Sequence, residues 1–370
     1  MHEYLIVGAG ISGSVLANLI ADKLNKKVLV IDRKNHIAGN CYDYKDENNI
    51  TVHKYGAHIF HTNNKEVWDY LSKFTSWNYY YHKVKSIIEG NEVFIPFNLN
   101  TLRELFSPIM AERIENKLLS TYGYGVKVPI LEFQNSNDED LKFIGKYVYE
   151  NIFKNYTMKQ WGLKPEEIDP TVTARVPIYI SNDIRYFQDK YQGIPLNGYT
   201  KMIKNILNHK NIAVQLNTDS KELDLSNFKY IYYTGAIDEY FNYKYGELPY
   251  RSLRFDIQTI KREYYQNNSV INYPNDYDFT RIIEHKYFLY EKSDKTTISI
   301  EYPEKFEIGK NERYYPISND ENNSLYNKYL EESKSNKNLY FFGRLGDYKY
   351  YNMDLAVERV LSFFKEKFNA

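Results

Sequence analysis

Gly8, Gly10 and Gly13 fall between two apolar runs, and that placement limits the fold more than any other feature of the chain. Tyr4–Val7 reads as a strand. Residues 11–24 read as a helix with Val15, Leu16, Leu19 and Ile20 on its apolar face, and residues 27–31 as a second strand ending at Asp32. Strand, glycine turn, helix and strand open a parallel sheet with crossover helices. Gly8 permits the tight turn, Gly10 lets a pyrophosphate approach the backbone, and Gly13 lets the helix pack closely on the strand. The start of the helix offers unpaired N–H groups and a positive dipole end to phosphates. Asp32 is placed to accept hydrogen bonds from an adenosine ribose. The order of these parts predicts a dinucleotide site. The competing reading is a phosphate-free turn with an incidental Asp.

The chain has 370 residues, enough for two or three domains or one large domain with insertions. Basic and acidic residues number 48 each, so no whole-molecule field favours nucleic acid or an anionic membrane. An anionic ligand must then be held by locally placed cations. The single Cys41 excludes an intramolecular disulfide and a multi-cysteine metal site, and fits a reducing compartment. The first residues lack the basic start and apolar core of a signal peptide. No stretch approaches the roughly 18 apolar residues of a membrane span. A soluble cytoplasmic protein is expected, without nucleic-acid or membrane partners.

Further along, residues 63–74 read as a helix with Val67, Trp68, Leu71 and Phe74 on one face, and Asn63 with Glu66 as its capping box. Residues 84–97 read as a hairpin turning at Gly90-Asn91. Residues 101–162 read as mostly helical, with Leu141, Ile144, Val148 and Ile152 behind a start at residues 136–139. Strands return from about Val176. Tyr230–Tyr233 ends at Gly235, residues 338–342 end at Gly343, and residues 297–301 alternate as in a sheet with one wet face. The last helix starts near Met353 and aligns Ala356, Val357, Val360, Leu361 and Phe364. There is no internal repeat or long linker, so the strand-rich and helix-rich regions read as insertions into one nucleotide-binding core.

A more specific pattern follows the glycine motif. Residues 54–62 read KYGAHIFHT. Tyr156-Thr157-x-Lys159-Gln160-Trp161-Gly162, Arg175-Val176-Pro177, Tyr186-Phe187 and Tyr191-Gln192-Gly193-Ile194-Pro195 come next. Then come Tyr250-Arg251-Ser252-Leu253, residues 280–286 (TRIIEHK), Tyr314-Tyr315-Pro316, Gly343-Arg344-Leu345 and Tyr348-Lys349-Tyr350-Tyr351. This ordered set resembles the prokaryotic UDP-galactopyranose mutase family across nearly the whole chain. The resemblance implies interconversion of UDP-galactopyranose and UDP-galactofuranose through a covalent flavin N5–sugar adduct on reduced FAD, without net redox change, supplying galactofuranose for surface glycans. Independently, Arg33, Gly39 and Asn40 after Asp32 look like the second cofactor approach of amine-oxidase-like FAD enzymes, and no separate NAD motif occurs.

The resemblance also implies site roles. Arg175 and Arg281 match two arginines that grip the substrate pyrophosphate, a task suited to a planar guanidinium that stays protonated. Tyr315 and Tyr350, with Tyr186, match tyrosines that bind the same ligand through their hydroxyls. Tyr156, Thr157 and Trp161 match the uridine region, with Phe187 and Asn272 as neighbours, and the segment around Trp161 matches a lid that keeps water out. His61 is placed to hydrogen-bond the flavin and tune N5 protonation. The cofactor set becomes Gly8, Gly10, Ser12, Gly13, Asp32, Arg33, Gly39, Asn40, Ala57, His58, Arg344, Tyr351, Asn352 and Met353. Arg344 contributes positive charge beside an anionic reduced flavin. No metal is expected. Two departures stand out: Asn352 where Asp is expected, and Ala236 where Pro is common.

The expected architecture is an α/β chain with a Rossmann-like FAD-binding core, an inserted helical domain and an antiparallel β-sheet domain. The FAD-binding domain takes residues 1–78, 192–245 and 314–370, the helical domain 99–169, and the sheet substrate domain 79–98, 170–191 and 246–313. Family members of this length imply a homodimer. Rival functions are an FAD-dependent amine oxidase-like oxidoreductase, a non-catalytic UDP-sugar binder, and the same mutase chemistry on UDP-N-acetylgalactosamine. The oxidoreductase reading leaves the paired arginines and tyrosines without a use.

Overall fold

The computed structural model describes residues 3–162, 164 and 177–368. The chain divides into two compact units, one formed by Met1–Tyr80, Asp189–Tyr250 and Ile308–Ala370, the other by Tyr81–Gln188 and Arg251–Glu307.

The first unit is built on a five-stranded sheet in the order Ile212–Leu216, Val28–Asp32, Tyr4–Val7, Tyr230–Tyr233 and Leu339–Phe341. Every pairing is parallel. The central strands are buried on both faces, which is why they read as unbroken apolar runs. The helix Ile11–Lys23 packs against the helices Tyr199–Leu207 and Met353–Phe368. Val357, Val360, Leu361 and Phe364 of the last helix are buried, while Ala356 is half-buried.

Asp43 joins distant parts of this unit. Its carboxylate accepts from Tyr199 N at 2.6 Å and Thr200 N at 2.9 Å, capping the Tyr199–Leu207 helix. Gly198 precedes that helix at φ +82°, where a Cβ would press to 2.7 Å from the same carboxylate.

A small sheet lies beside the helix Lys65–Leu71. Tyr191–Pro195 pairs with Phe60–Thr62 and with Trp77–Asn78, both antiparallel. Its rings stack: Trp68 on Trp77 at 4.4 Å, Trp68 on Tyr191 at 5.2 Å, and Phe60 on Trp77 at 5.2 Å. The cap of the Lys65–Leu71 helix is Asn64, whose side chain accepts from Glu66 N and Val67 N, so the capping box expected at Asn63 moves by one residue. Asn63 instead donates to Asp189.

The second unit holds a sheet whose strands run in the order Tyr250–Ile260, Thr296–Lys305, Arg281–Glu284, Val270–Asn272, Val84–Ile88 and Asn91–Ile95. Its pairings are antiparallel except for one: Val270–Asn272 runs parallel to Val84–Ile88. The hairpin turns through Glu89 and Gly90, at φ +48° and +81°, one residue before the expected turn. Thr296 to Ser299 are all buried, so the expected wet face is covered. The helical stretch contains Leu99–Leu105, Pro108–Tyr122, Ile130–Gln134, Glu139–Val148 and Asn155–Trp161, and Asp138 caps the fourth. Within it Val126–Pro129 forms a strand against Pro177–Ile180, a pairing that no local pattern announces.

Candidate functional site

Three glycines shape the turn at the start of the helix Ile11–Lys23. Gly8 takes φ +111°, and a Cβ there would collide with Thr234 Oγ1. A Cβ on Gly13 would collide with the Gly8 carbonyl oxygen, so helix and turn touch only because Gly13 is bare. Gly10 differs: the nearest atom to its Cβ position is Gly39 Cα at 3.8 Å. Gly10 is the N-cap of Ile11–Lys23 and brings neither a side-chain cap nor an acid in the first turn. The helix start therefore lacks a cap of its own, which suits an external anion.

One cleft in the first unit lies at the carboxyl ends of the strands Tyr4–Val7, Val28–Asp32 and Tyr230–Tyr233, where open parallel sheets receive ligands. Gly8, Gly10, Ser12 and Gly13 line one part of it. Asp32, Arg33, Gly39 and Asn40 line the next, and His58, Arg344, Tyr351, Asn352 and Met353 another. Of the expected cofactor residues, Ala57 is not in the lining. Asp32 Oδ2 accepts from Ala9 N at 2.8 Å and Oδ1 from Lys34 N at 2.9 Å, which orients the carboxylate and leaves further lone pairs for a ribose.

The cleft also contains groups that the motif did not signal. Glu239 holds Arg33 at 2.9 Å and Arg313 at 2.7 Å. Lys34 lies 3.4 Å from Glu312 and 4.2 Å from the centre of the Tyr55 ring, and burial lowers its pKa. Thr218, Asp219, Ser220 and Cys41 also line the cleft. Burial pushes the Cys41 thiol up to about 12, and it donates to Met353 Sδ at 3.4 Å. Arg313 directly precedes the Tyr314-Tyr315-Pro316 block, the only sequence clue to it.

Arg344 lies among four tyrosines of this unit. Its guanidinium donates to the Tyr314 and Tyr351 carbonyls and lies 5.4 Å and 5.3 Å from the ring centres of Tyr315 and Tyr350. His58 Nδ1 donates to the Gly56 carbonyl at 2.8 Å, and His58 N donates to His53 Nδ1 at 3.1 Å. Burial drives the pKa of both rings down to about 3, so both are neutral. His61 sits at the centre of the strand Phe60–Thr62, with Nδ1 2.9 Å from Asp189 Oδ2 and Nε2 3.5 Å from Asn352 Nδ2.

In the second unit, Arg281 and Asn272 stand directly opposite each other on paired strands. Arg281 Nε lies 2.9 Å from Glu301 Oε1, an ion pair whose acid is 1% exposed. Thr280 Oγ1 donates to the same oxygen at 3.1 Å. Tyr156, Thr157 and Trp161 share the helix Asn155–Trp161, and of the three Thr157 is buried. Lys159 on that helix donates to the Tyr273 carbonyl at 2.7 Å. Arg251 donates to the carbonyls of Gln160 at 3.0 Å and Lys159 at 3.3 Å, closing the helix end. Tyr186 and Phe187 meet edge to face at 5.0 Å, and both rings lie 5.9 Å from His82. Arg175 lies outside the described residues.

Fold and cleft together define an α/β protein of the dinucleotide-binding class. A family model described as an NAD(P)-binding Rossmann-like domain matches residues 6–74, and one described as UDP-galactopyranose mutase matches residues 151–350. The chain is 38% identical to a probable UDP-galactopyranose mutase of Klebsiella pneumoniae, over 96% of this chain and 92% of that protein. It is 35% identical to a dTDP-fucopyranose mutase of Escherichia coli, over 98% and 97% of the two chains. A solved structure of reduced UDP-galactopyranose mutase superposes with a TM-score of 0.75 at 16% identity, over 100% and 96% of the two chains, and shows the shared fold. The chain belongs to the UDP-galactopyranose mutase family.

Proposed function

We propose that this chain interconverts UDP-galactopyranose and UDP-galactofuranose on FAD held in the cleft of the first unit. The cradle fits a dinucleotide: Gly10 leaves room at an uncapped helix start, while a side chain at Gly8 or Gly13 would collide with the turn. Gly8, Gly10, Ser12 and Gly13 would hold the pyrophosphate, and Asp32 the ribose. When bound in reduced form, FAD supplies an electron-rich nucleophile for an anomeric carbon.

The chain's own residues do the remaining work. Arg281, with Arg175, binds the substrate diphosphate and offsets the negative charge that grows as the anomeric bond breaks. Glu301 holds Arg281 by Nε, so the terminal nitrogens keep a fixed direction. Tyr315, Tyr350 and Tyr186 donate hydroxyl hydrogen bonds to the same ligand. Arg344 adds positive charge among the first two. The helix of Tyr156, Thr157 and Trp161, with Phe187 and Asn272, receives the nucleoside and limits water. A cytoplasmic homodimer is part of this proposal.

The observation that carries the reading is 38% identity running through 96% of the chain, across both units. The similarity to the E. coli enzyme, at 35% and nearly end to end, favours a second reading in which the sugar nucleotide is dTDP-fucose. Purified protein, with flavin oxidised or reduced by dithionite, would be given UDP-galactose, UDP-N-acetylgalactosamine and dTDP-fucose. Furanose product from UDP-galactose only under reduction is expected. Preferred turnover of dTDP-fucose supports the second reading, and oxygen uptake with an amine and no furanose from any sugar refutes both.

A further inference from the structure

Asp189 lies outside every block that marks the family resemblance, yet its carboxylate oxygens are engaged by His61, on the strand Phe60–Thr62, and by Asn63 just after it. Oδ2 lies 2.9 Å from His61 Nδ1, and Oδ1 accepts from Asn63 Nδ2 at 2.7 Å. Asn63 Oδ1 in return accepts from Lys190 N at 2.9 Å. The framework is firm, because Tyr191, Gln192 and Gly193 pair in register with Thr62, His61 and Phe60. On the far side of the ring, His61 Nε2 faces Asn352 Nδ2 at 3.5 Å, and Asn352 lines the cofactor cleft. An ionised carboxylate only accepts, so the Nδ1 nitrogen must carry a proton. A neutral ring then has a lone pair at Nε2, and the amide that meets it must donate. The carbonyl branch of Asn352 is left as the acceptor that this residue offers to a ligand.

We propose that Asp189 is a positioning residue: by accepting the Nδ1 proton of His61 it fixes the ring as an Nε2 acceptor, and through that ring it orients the side-chain amide of Asn352 at the cofactor cleft. This also gives Asn352 a reason to be Asn. A carboxylate at that position would face the Nε2 lone pair, an arrangement that favours a second proton on the ring between two acids. The inference rests on the proposed function for its catalytic consequence, but not for the state of the ring.

The test uses the full-length, cofactor-loaded protein with histidines labelled with 15N, and His61→Gln assigns the His61 signals. At pH 7.5 the wild-type ring is expected protonated at Nδ1 and bare at Nε2. Asn352→Asp is expected to make it doubly protonated, and Asp189→Asn combined with Asn352→Asp to move a single proton to Nε2. Asn63→Ala, which removes the other Asp189 contact, is expected to leave the ring unchanged. Asp189→Asn alone should lower kcat by about 10²-fold while KM for UDP-galactose moves less than about threefold. A wild-type ring that is bare at Nδ1 or doubly protonated overturns the proposal. So does an Asp189→Asn variant with flavin loading, tautomer and kcat all unchanged. If no sugar nucleotide is turned over by the wild type, the functional reading fails while the spectra still decide the role of Asp189.

Discussion

Replacing Arg281 by alanine removes two things at once, and the structure separates them. The guanidinium is about a quarter exposed, whereas its partner Glu301 is 1% exposed. Without Arg281 that carboxylate keeps Thr280 Oγ1, at 3.1 Å, but loses the cation beside it. Stranding one partner of a buried pair costs about 3 kcal/mol at the lower end of the usual range, suitable here because one partner touches solvent. For a body of this size that is a fall in Tm of about 6–12 °C. Under the proposed function the same change also removes a fixed donor to the departing diphosphate, a loss of about 10²–10³ in kcat. Arg281→Ala should therefore be both unstable and slow. Combining it with Glu301→Gln removes the stranded charge and should bring the Tm back to within about 3 °C of wild type, with kcat still down by about 10² or more. Calorimetry and a furanose-forming assay under dithionite read the two effects. A double variant that regained activity, or an Arg281→Ala protein with unchanged Tm, would refute the reasoning.

Gly13→Ala puts a methyl group onto the Gly8 carbonyl and should abolish FAD retention, read as loss of visible flavin absorbance after gel filtration. Lys159→Met removes the ammonium from the Tyr273 carbonyl and should destabilise by about 1–2 kcal/mol, with a higher KM for the sugar nucleotide than the Tm change alone explains. His53 and His58 are held near pKa 3 when folded, against an ordinary value of 6.5. Their folded pKa is depressed, so the unfolded chain binds more protons below pH 6.5. The cost is absent above pH 6.5 and grows as pH falls towards 3, by about 1.4 kcal/mol per pH unit for each ring. Urea titrations from pH 7 to 4 should show that slope, about halved in His53→Gln. Cys41, with its thiol pushed up to about 12, should resist iodoacetamide at pH 8 until urea is added.

What the sequence made legible was what short-range chemistry controls. The glycine turn, the helix behind it and the strand ending at Asp32 are set by residues within one crossover unit, and each lies within a residue or two of its expected place. Caps and turns slipped by one, as at Asn64 and at Glu89-Gly90, because adjacent residues of similar type compete for one backbone position. Contacts between distant segments left no local trace. Asp189 meets His61, Glu301 meets Arg281, and Asp43 caps a helix more than a hundred residues later. The buried face of Thr296–Lys305 was missed for a related reason: threonine and serine look wet in sequence, whereas Ser299 here bonds the buried His285.

The cleft draws its lining from widely separated stretches of the chain, the first at Gly8 and the last at Asn352 and Ala356. A ribosome adding 5–20 residues per second needs roughly 20–70 s to travel between them. For nearly all of that interval Arg344, Tyr351 and Asn352 have not been made. A chain cut short before Arg344 would carry the glycine turn and Asp32 without Arg344, Tyr351 and Asn352, which line the same cleft.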